Sequence, residues 1–310
     1  MTVEPLVNNS AVLVGTFTSG SDEWHAARAK GIGGSEISAI VGLNEYESRF
    51  SCYYRKLEKL RPVAESDPMK WGTLLEPIIF AEFMESYVVP RGLHMTTGDT
   101  FHHKDRPWQI ANPDGLIWNN GELIDLLEIK TAGRDDKWGP RGTDLIPIAY
   151  RCQMAWYMDV MGIESGLLRV LIGGNDARTY RITPTREDIE YLRSEGEQFM
   201  HDLENHVEPN LDDHTATYNA IKEMHPLIDG SVVQISSELA DRWWAVQDAY
   251  EEVSDARQGV LNELAMTMGL ARVAMCGDEK VAFRQKPRTE GKEPFVKSAP
   301  RPKFSTAIAA

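Results

Sequence analysis

Cysteine, positive charge and long apolar runs are all scarce in this 310-residue sequence. Its three cysteines, Cys52, Cys152 and Cys276, lie far apart and form no CxxC pair. That excludes a disulfide framework and a four-cysteine zinc or iron–sulfur site within one chain, and reads as buried, reduced thiols. No stretch approaches the roughly 18–20 apolar residues a membrane span needs. The opening MTVEPLVNNS carries an acid where a signal peptide carries basic residues, so the expected location is cytoplasmic. Basic residues number 33 against 47 acidic ones, for a formal charge of −14. A protein that coats nucleic acid through a generally basic surface is thereby disfavoured, while a local site remains compatible with an acidic exterior.

With 42% hydrophobic and 26% charged residues, the sequence is that of a folded globular protein. Ser21 caps a helix through DEWHAARAK that stops at the glycine-rich GIGGSE, and a second helix starts near Ser35. A third runs from Arg49 to about Leu60, PVAESDP reads as a loop, and helical periodicity returns from Leu74 to Tyr87. Short runs broken by Gly, Pro, Asn and Asp then suggest an antiparallel meander: LHMTT, FHHKD, QIANPDGLIW and ELIDLLEIK. IPIAYRCQMAWYMDVMG is a helix, SGLLRVLIGG and ARTYRIT are strands, and a helix spans Thr185 to about His206. The expected fold class is a mixed α/β core in residues 1–208. Residues 209–310 are expected to form an appendage: an aperiodic connector to Ser236, one long amphipathic helix or a helical pair, two short strands, and a flexible tail. That tail has eight basic residues between Lys280 and Lys303.

Asp114 in NPDG and Glu128 and Lys130 in LEIK form the most suggestive constellation. Alternation along a strand puts Glu128 and Lys130 on one face, about 7 Å apart, with Leu127 and Ile129 facing the core. A hairpin brings Asp114 opposite them. Two carboxylates, an ammonium and the Ile129 carbonyl suit hydrated Mg²⁺ rather than zinc, although D, E and K at this spacing also make an ordinary strand-face salt bridge.

Further stretches fit the same pattern: Trp24, His25 and Arg28 in EWHAAR, Ser35 and Glu36 in GGSE, Trp71, Gly72 and Glu76 in WGTLLE, and Gln153 in AYRCQ. With Pro113–Gly115 and Glu128–Lys130 they span residues 21 to about 170. In order and spacing they resemble the YqaJ-type viral recombinases, relatives of phage lambda exonuclease within the PD-(D/E)xK nuclease superfamily. The resemblance implies a PD-(D/E)xK core, a mixed central sheet flanked by helices, and it does not extend past about residue 210.

It also implies a phage- or prophage-encoded enzyme in a bacterial cell. Such an enzyme is a magnesium-dependent 5′→3′ exonuclease on linear double-stranded DNA, with two Mg²⁺ per site and Mn²⁺ able to substitute. It often forms a ring-shaped trimer and works beside a single-strand annealing protein. Asp114 and Glu128 would anchor the metals with the Ile129 carbonyl. Glu76 would complete the shell through water, or Thr73-x-x-Glu76 is a capping box. Lys130, its pKa lowered by burial, would activate water or stabilise charge. Gln153 would position the water or the Lys130 ammonium, unless it is an exposed helix position. Arg28 and Ser35 resemble the pocket for the 5′-terminal phosphate, with Asn112 where relatives carry serine; alternatively Ser35 caps its helix and Arg28 complements the helix before it.

Met69 lies where an apolar wedge could split the terminal base pair. Trp24 and Trp71 read as core anchors, Trp243 and Trp244 as packing for the appended helices, and His102 and His103 as structural. Two other readings stand beside the exonuclease. One is another PD-(D/E)xK nuclease, such as a restriction-like endonuclease or a Cas4-like exonuclease, the latter disfavoured because three cysteines cannot make a four-cysteine cluster. The other is a non-catalytic DNA-end-binding scaffold for an annealing protein.

Overall fold

A computed structural model describes residues 6–7, 10–18, 20–287 and 289–300. The chain divides into two units between Pro226 and Leu227. The first begins with β1 (Leu6–Val7), β2 (Ala11–Gly15), α1 (Asp22–Ala29), β3 (Ile32–Gly33), α2 (Gly34–Ile40), α3 (Arg49–Lys56) and α4 (Asp67–Phe83). Five strands follow, β4 (His94–Thr97), β5 (Thr100–His103), β6 (Arg106–Ala111), β7 (Gly115–Asn119) and β8 (Glu122–Ala132). It continues through α5 (Ile148–Met161), β9 (Gly166–Ile172), β10 (Asp176–Ile182), α6 (Arg186–Glu204) and α7 (Thr215–Met224).

The strands form two sheets rather than the single meander expected. One has the order β10-β9-β8-β7-β4 and is mixed, with β8 and β9 parallel and the other pairs antiparallel. The other has the order β1-β2-β5-β6-β3, with only β3 and β6 parallel. Asn112, Pro113 and Asp114 connect β6 in one sheet to β7 in the other. Proline cannot donate to a ladder, so a strand pattern read through NPD has to break there.

Helices cover both faces of the mixed sheet. Leu127 and Ile129 of β8 face Ile79 and Phe83 of α4, whereas Leu126 lies in the cluster built around α5. Ten of the fourteen residues of α5 are buried, which explains why its sequence is apolar nearly all round. Trp156 of α5 donates its indole N–H to the carbonyls of Ile32 and Ile110, both at 3.1 Å, locking α5 to the parallel β3–β6 pair.

Several local expectations change. Helix α4 starts at Asp67 because Ser66 accepts the Met69 N–H as its cap and Pro68 sits in the first turn, where its missing N–H costs nothing. Thr73 and Glu76 therefore lie inside the helix and form no capping box; the Thr73 hydroxyl bonds back to the Met69 carbonyl at 3.2 Å. Trp71 is not a core anchor but 60% exposed on α4. Within the supposedly aperiodic connector, α7 forms and packs on α3, so residues up to Pro226 lie with the first unit.

The second unit consists of α8 (Ser237–Met268), β11 (Val273–Cys276), β12 (Glu279–Gln285) and β13 (Phe295–Ser298). α8 is one continuous helix of 32 residues, and Trp243 and Trp244 are exposed on it rather than packed between helices. β11 and β12 fall where the two short strands were expected, and the tail expected to be flexible contributes β13, which pairs antiparallel with β12. Of its basic residues, Arg288, Arg301 and Lys303 lie outside the described residues, as does the opening Met1–Pro5. Cys52 and Cys152 are buried, but Cys276 is exposed. Among the described residues no helix is long and apolar enough to cross a membrane.

Candidate active site

The β7–β8 register places Gly115 opposite Leu127, and the Asp114 N–H bonds to the Leu127 carbonyl at 3.0 Å. Asp114 thus stands beside Glu128 at the edge where the chain changes sheets. Its Oδ2 accepts the Ile129 N–H at 2.6 Å, a bond that fixes the carboxylate against β8. Burial, and then the neighbouring Glu128 charge, push the Asp114 carboxyl well above the ordinary aspartate value.

Glu128 is 2% exposed and carries the site's most telling asymmetry. Its Oε1 accepts from Lys130 Nζ at 2.5 Å and from Gln153 Nε2 at 2.6 Å. Its Oε2 is buried with no hydrogen-bond partner. An ionised carboxylate oxygen left bare in the interior costs free energy unless a cation meets it, so the two donors hold Glu128 with one oxygen free for a ligand. Gln153, 6% exposed, is not an outward helix position; it acts on Glu128 rather than on Lys130.

Lys130 lies 5.1 Å above the Tyr150 ring. Burial pulls its pKa down, as expected from sequence, but the Glu128 and Asp114 charges outweigh burial and leave it above the usual lysine value. The side chain is held as an ammonium. Glu76 projects from α4 half-buried, its pKa raised by burial first and by the Glu128 charge second, with Lys130 opposing. α4 thus brings a third carboxylate within electrostatic reach of the β8 pair.

Among the described residues, no three His, Cys, Asp or Glu side chains stand close enough to cage an ion by themselves. The donors that do converge are hard oxygens, and one of them, Glu128 Oε2, is unpaired. That set fits Mg²⁺, which takes one or two carboxylates and fills its remaining positions with water and substrate oxygen.

A second cluster lies at the α1–α2 junction. Arg28 donates through Nη2 to Ser35 Oγ at 2.7 Å, and its guanidinium stacks 4.3 Å from the Trp24 ring centroid. Trp24 is half-buried beneath that cation instead of anchoring the core. Gly34 lets α2 approach α5: a Cβ there would lie 2.4 Å from Tyr157 Cε1. Lys56 braces the same turn, donating to Glu36 and to the Gly31 carbonyl. Tyr157 joins the two clusters, since its hydroxyl accepts from Gln153 Nε2 at 3.2 Å while burial, Glu128 and Arg28 all act on its pKa, with a net rise.

Asn112 donates from Nδ2 to Thr100 Oγ1 at 2.6 Å, leaving its buried Oδ1 without a partner. In that orientation it offers an acceptor. Exchanging the amide oxygen and nitrogen, which a hydroxyl partner tolerates, would present a donor instead. Met69 is about half exposed on the first turn of α4. A cleft lined by Tyr87, Thr143, Leu167 and Arg181 among others contains none of these residues.

Sequence reasoning missed Tyr157, Tyr150 and the packing role of Gly34. The signal for the tyrosines was their helical spacing from Gln153, three residues before and four after.

The geometry realises a P-D…E-x-K pattern, with Pro113 and Asp114 at the entry to β7 and Glu128 and Lys130 on the adjacent β8. Residues 23–164 match the YqaJ-like viral recombinase domain. Every site residue named above lies inside this YqaJ-like segment. The similarity to the uncharacterized protein YqaJ of Bacillus subtilis (strain 168) extends further, at 26% identity over 275 residues, 85% of this chain and 83% of that one. Protein D345L of African swine fever virus (isolate Tick/South Africa/Pretoriuskop Pr4/1996) is 31% identical over 115 residues, 36% of this chain and 32% of its own length. Among solved structures, an alkaline exonuclease (LHK-Exo) from Laribacter hongkongensis superposes with a TM-score of 0.47 at 20% identity, covering 61% of this chain and 95% of that one. A phage related exonuclease from Haemophilus somnus 129PT gives a TM-score of 0.42 at 10% identity, over 57% of this chain and 95% of that one.

Proposed function

We propose that this protein is a magnesium-dependent exonuclease that hydrolyses the 5′-ended strand of linear duplex DNA. The 3′ single-stranded tails it leaves would serve recombination by an annealing protein, and a ring-shaped homo-oligomer fits that role by family resemblance. The observation that carries the reading is the bare Oε2 of buried Glu128, whose other oxygen is fixed by Lys130 and Gln153. Asp114, Glu128 and the Ile129 carbonyl would hold the metal directly, and Glu76 would act through water. Bound magnesium supplies Lewis-acid activation of water and neutralises charge on the leaving oxygen.

The chain's own groups do the rest. Lys130, held as an ammonium by its carboxylate neighbours, suits stabilisation of the developing phosphate charge better than removal of a proton. Gln153 keeps Glu128 turned so that one oxygen stays free. Arg28 and Ser35, with Asn112 in its flipped orientation, would take the 5′-terminal phosphate through charge-assisted hydrogen bonds. The test uses linear duplexes with 5′-phosphoryl or 5′-hydroxyl ends and covalently closed circles, with Mg²⁺ or chelator. Nucleotide release from linear DNA alone, lost with chelator and reduced ~10²-fold or more in Lys130→Ala, is the expected result. Cutting of closed circles would instead make it an endonuclease, and no release at all would make it an end-binding scaffold.

A further inference from the structure

Outside the nuclease site, α8 presents a long exposed surface among the described residues. It spans 32 residues, about 48 Å at 1.5 Å per residue, and only Met268 at its end is buried. Leu239, Trp243, Val246, Tyr250, Val253 and Val260 are all exposed on it. Their spacing alternates four and three residues before reaching Val260, with Arg257 falling in the intervening position and Leu264 in the next. This is the 3.5-residue period of a helix that packs along a partner helix rather than against a sheet. The opposite edge repeats every seven residues as Asp241, Asp248, Asp255 and Asn262, a solvent-facing stripe.

We propose that α8 is a dimerisation element that pairs antiparallel with α8 of a second copy of this chain. The helix is complementary to itself in that direction. Setting Tyr250 against Val253 of the partner copy also sets Trp243 against Val260, Val246 against Arg257 and Leu239 against Leu264, with no layer left over. The same register puts Arg242 beside Glu263 at both ends of the seam, and Ala249 beside Ala256 where the backbones must approach. A parallel pair is disfavoured, because it would stack Arg257 on its own counterpart inside the seam. This surface is independent of the nuclease reading and fails or stands without it.

The test is made on the full chain carrying Cys276→Ser, which removes the exposed native thiol. In the antiparallel register Gln247 faces Ser254 of the other copy. Chains with Gln247→Cys mixed with chains with Ser254→Cys should cross-link on mild oxidation, and neither alone should. Light-scattering mass should halve in Val253→Glu. It should fall in Arg242→Glu and return when Glu263→Arg is added. Equal cross-linking by Gln247→Cys alone, or an unchanged mass in Val253→Glu, would overturn the proposal. Because no readout is nuclease activity, failure here would leave the reading of the active site untouched.

Discussion

At the scale of single residues, Lys130 offsets only part of the carboxylate charge that Asp114, Glu128 and Glu76 gather. Asp114 has a raised pKa in the folded chain, so between the ordinary aspartate value and that raised value the native state holds more protons than the unfolded one. Stability of the metal-free protein should therefore fall as pH rises through that window. Two outcomes are expected from thermal melts. Asp114→Asn should melt higher than wild type in chelator at neutral pH, with the difference vanishing in acid, and Mg²⁺ should stabilise wild type more at neutral than at acidic pH. The Gln153 contact gives a second expectation. Gln153→Ala should lower kcat by ~10–100-fold and weaken the metal requirement's apparent affinity together, because it frees Glu128 rather than removing a ligand. A change in kcat with unaltered metal dependence would contradict that role. That Glu128 and Lys130 share a face was legible from strand alternation, whereas bringing Asp114 beside them takes the pairing of β7 with β8. The raised Lys130 pKa was not legible, since burial and carboxylate charge oppose each other and only the geometry says which prevails.

At the scale of elements, α2 and α5 couple the two clusters through the contact of Gly34 with Tyr157. Gly34→Ala should cost about 1–3 kcal/mol by overpacking. It should also reduce the preference for 5′-phosphoryl over 5′-hydroxyl ends, as read from urea unfolding and from rates on the two substrates. The helices from Ile148 and Arg186 and the strands at Gly166 and Asp176 followed from periodicity and turn residues. The start of α4 did not, because Ser66-Asp67-Pro68 is loop-like in composition and also a good helix cap. Nor did the exposure of Trp71, since periodicity shows which face is apolar but not whether anything covers it. The switch between sheets at Asn112–Asp114 was invisible for a related reason: pairing partners are chosen across the fold, and β3 meets β6 from a segment far earlier in the chain.

At the scale of the whole molecule, the acidic balance of −14 bears directly on how the central claim is tested, since an acidic protein gathers divalent ions over its surface as well as in any site. The break between Pro226 and Leu227 lies beyond the point where the sequence loses periodicity, because α7 packs on α3 through a face too short to stand out in the pattern. The most direct measurement is Mn²⁺ binding followed by electron paramagnetic resonance on the full chain, comparing wild type with Glu128→Gln and with a control that neutralises a remote acid, Asp248→Asn. The expected result is one class of tight sites in wild type and in Asp248→Asn that disappears in Glu128→Gln. Equal binding by all three proteins would mean that Asp114 and Glu128 do not form a metal centre.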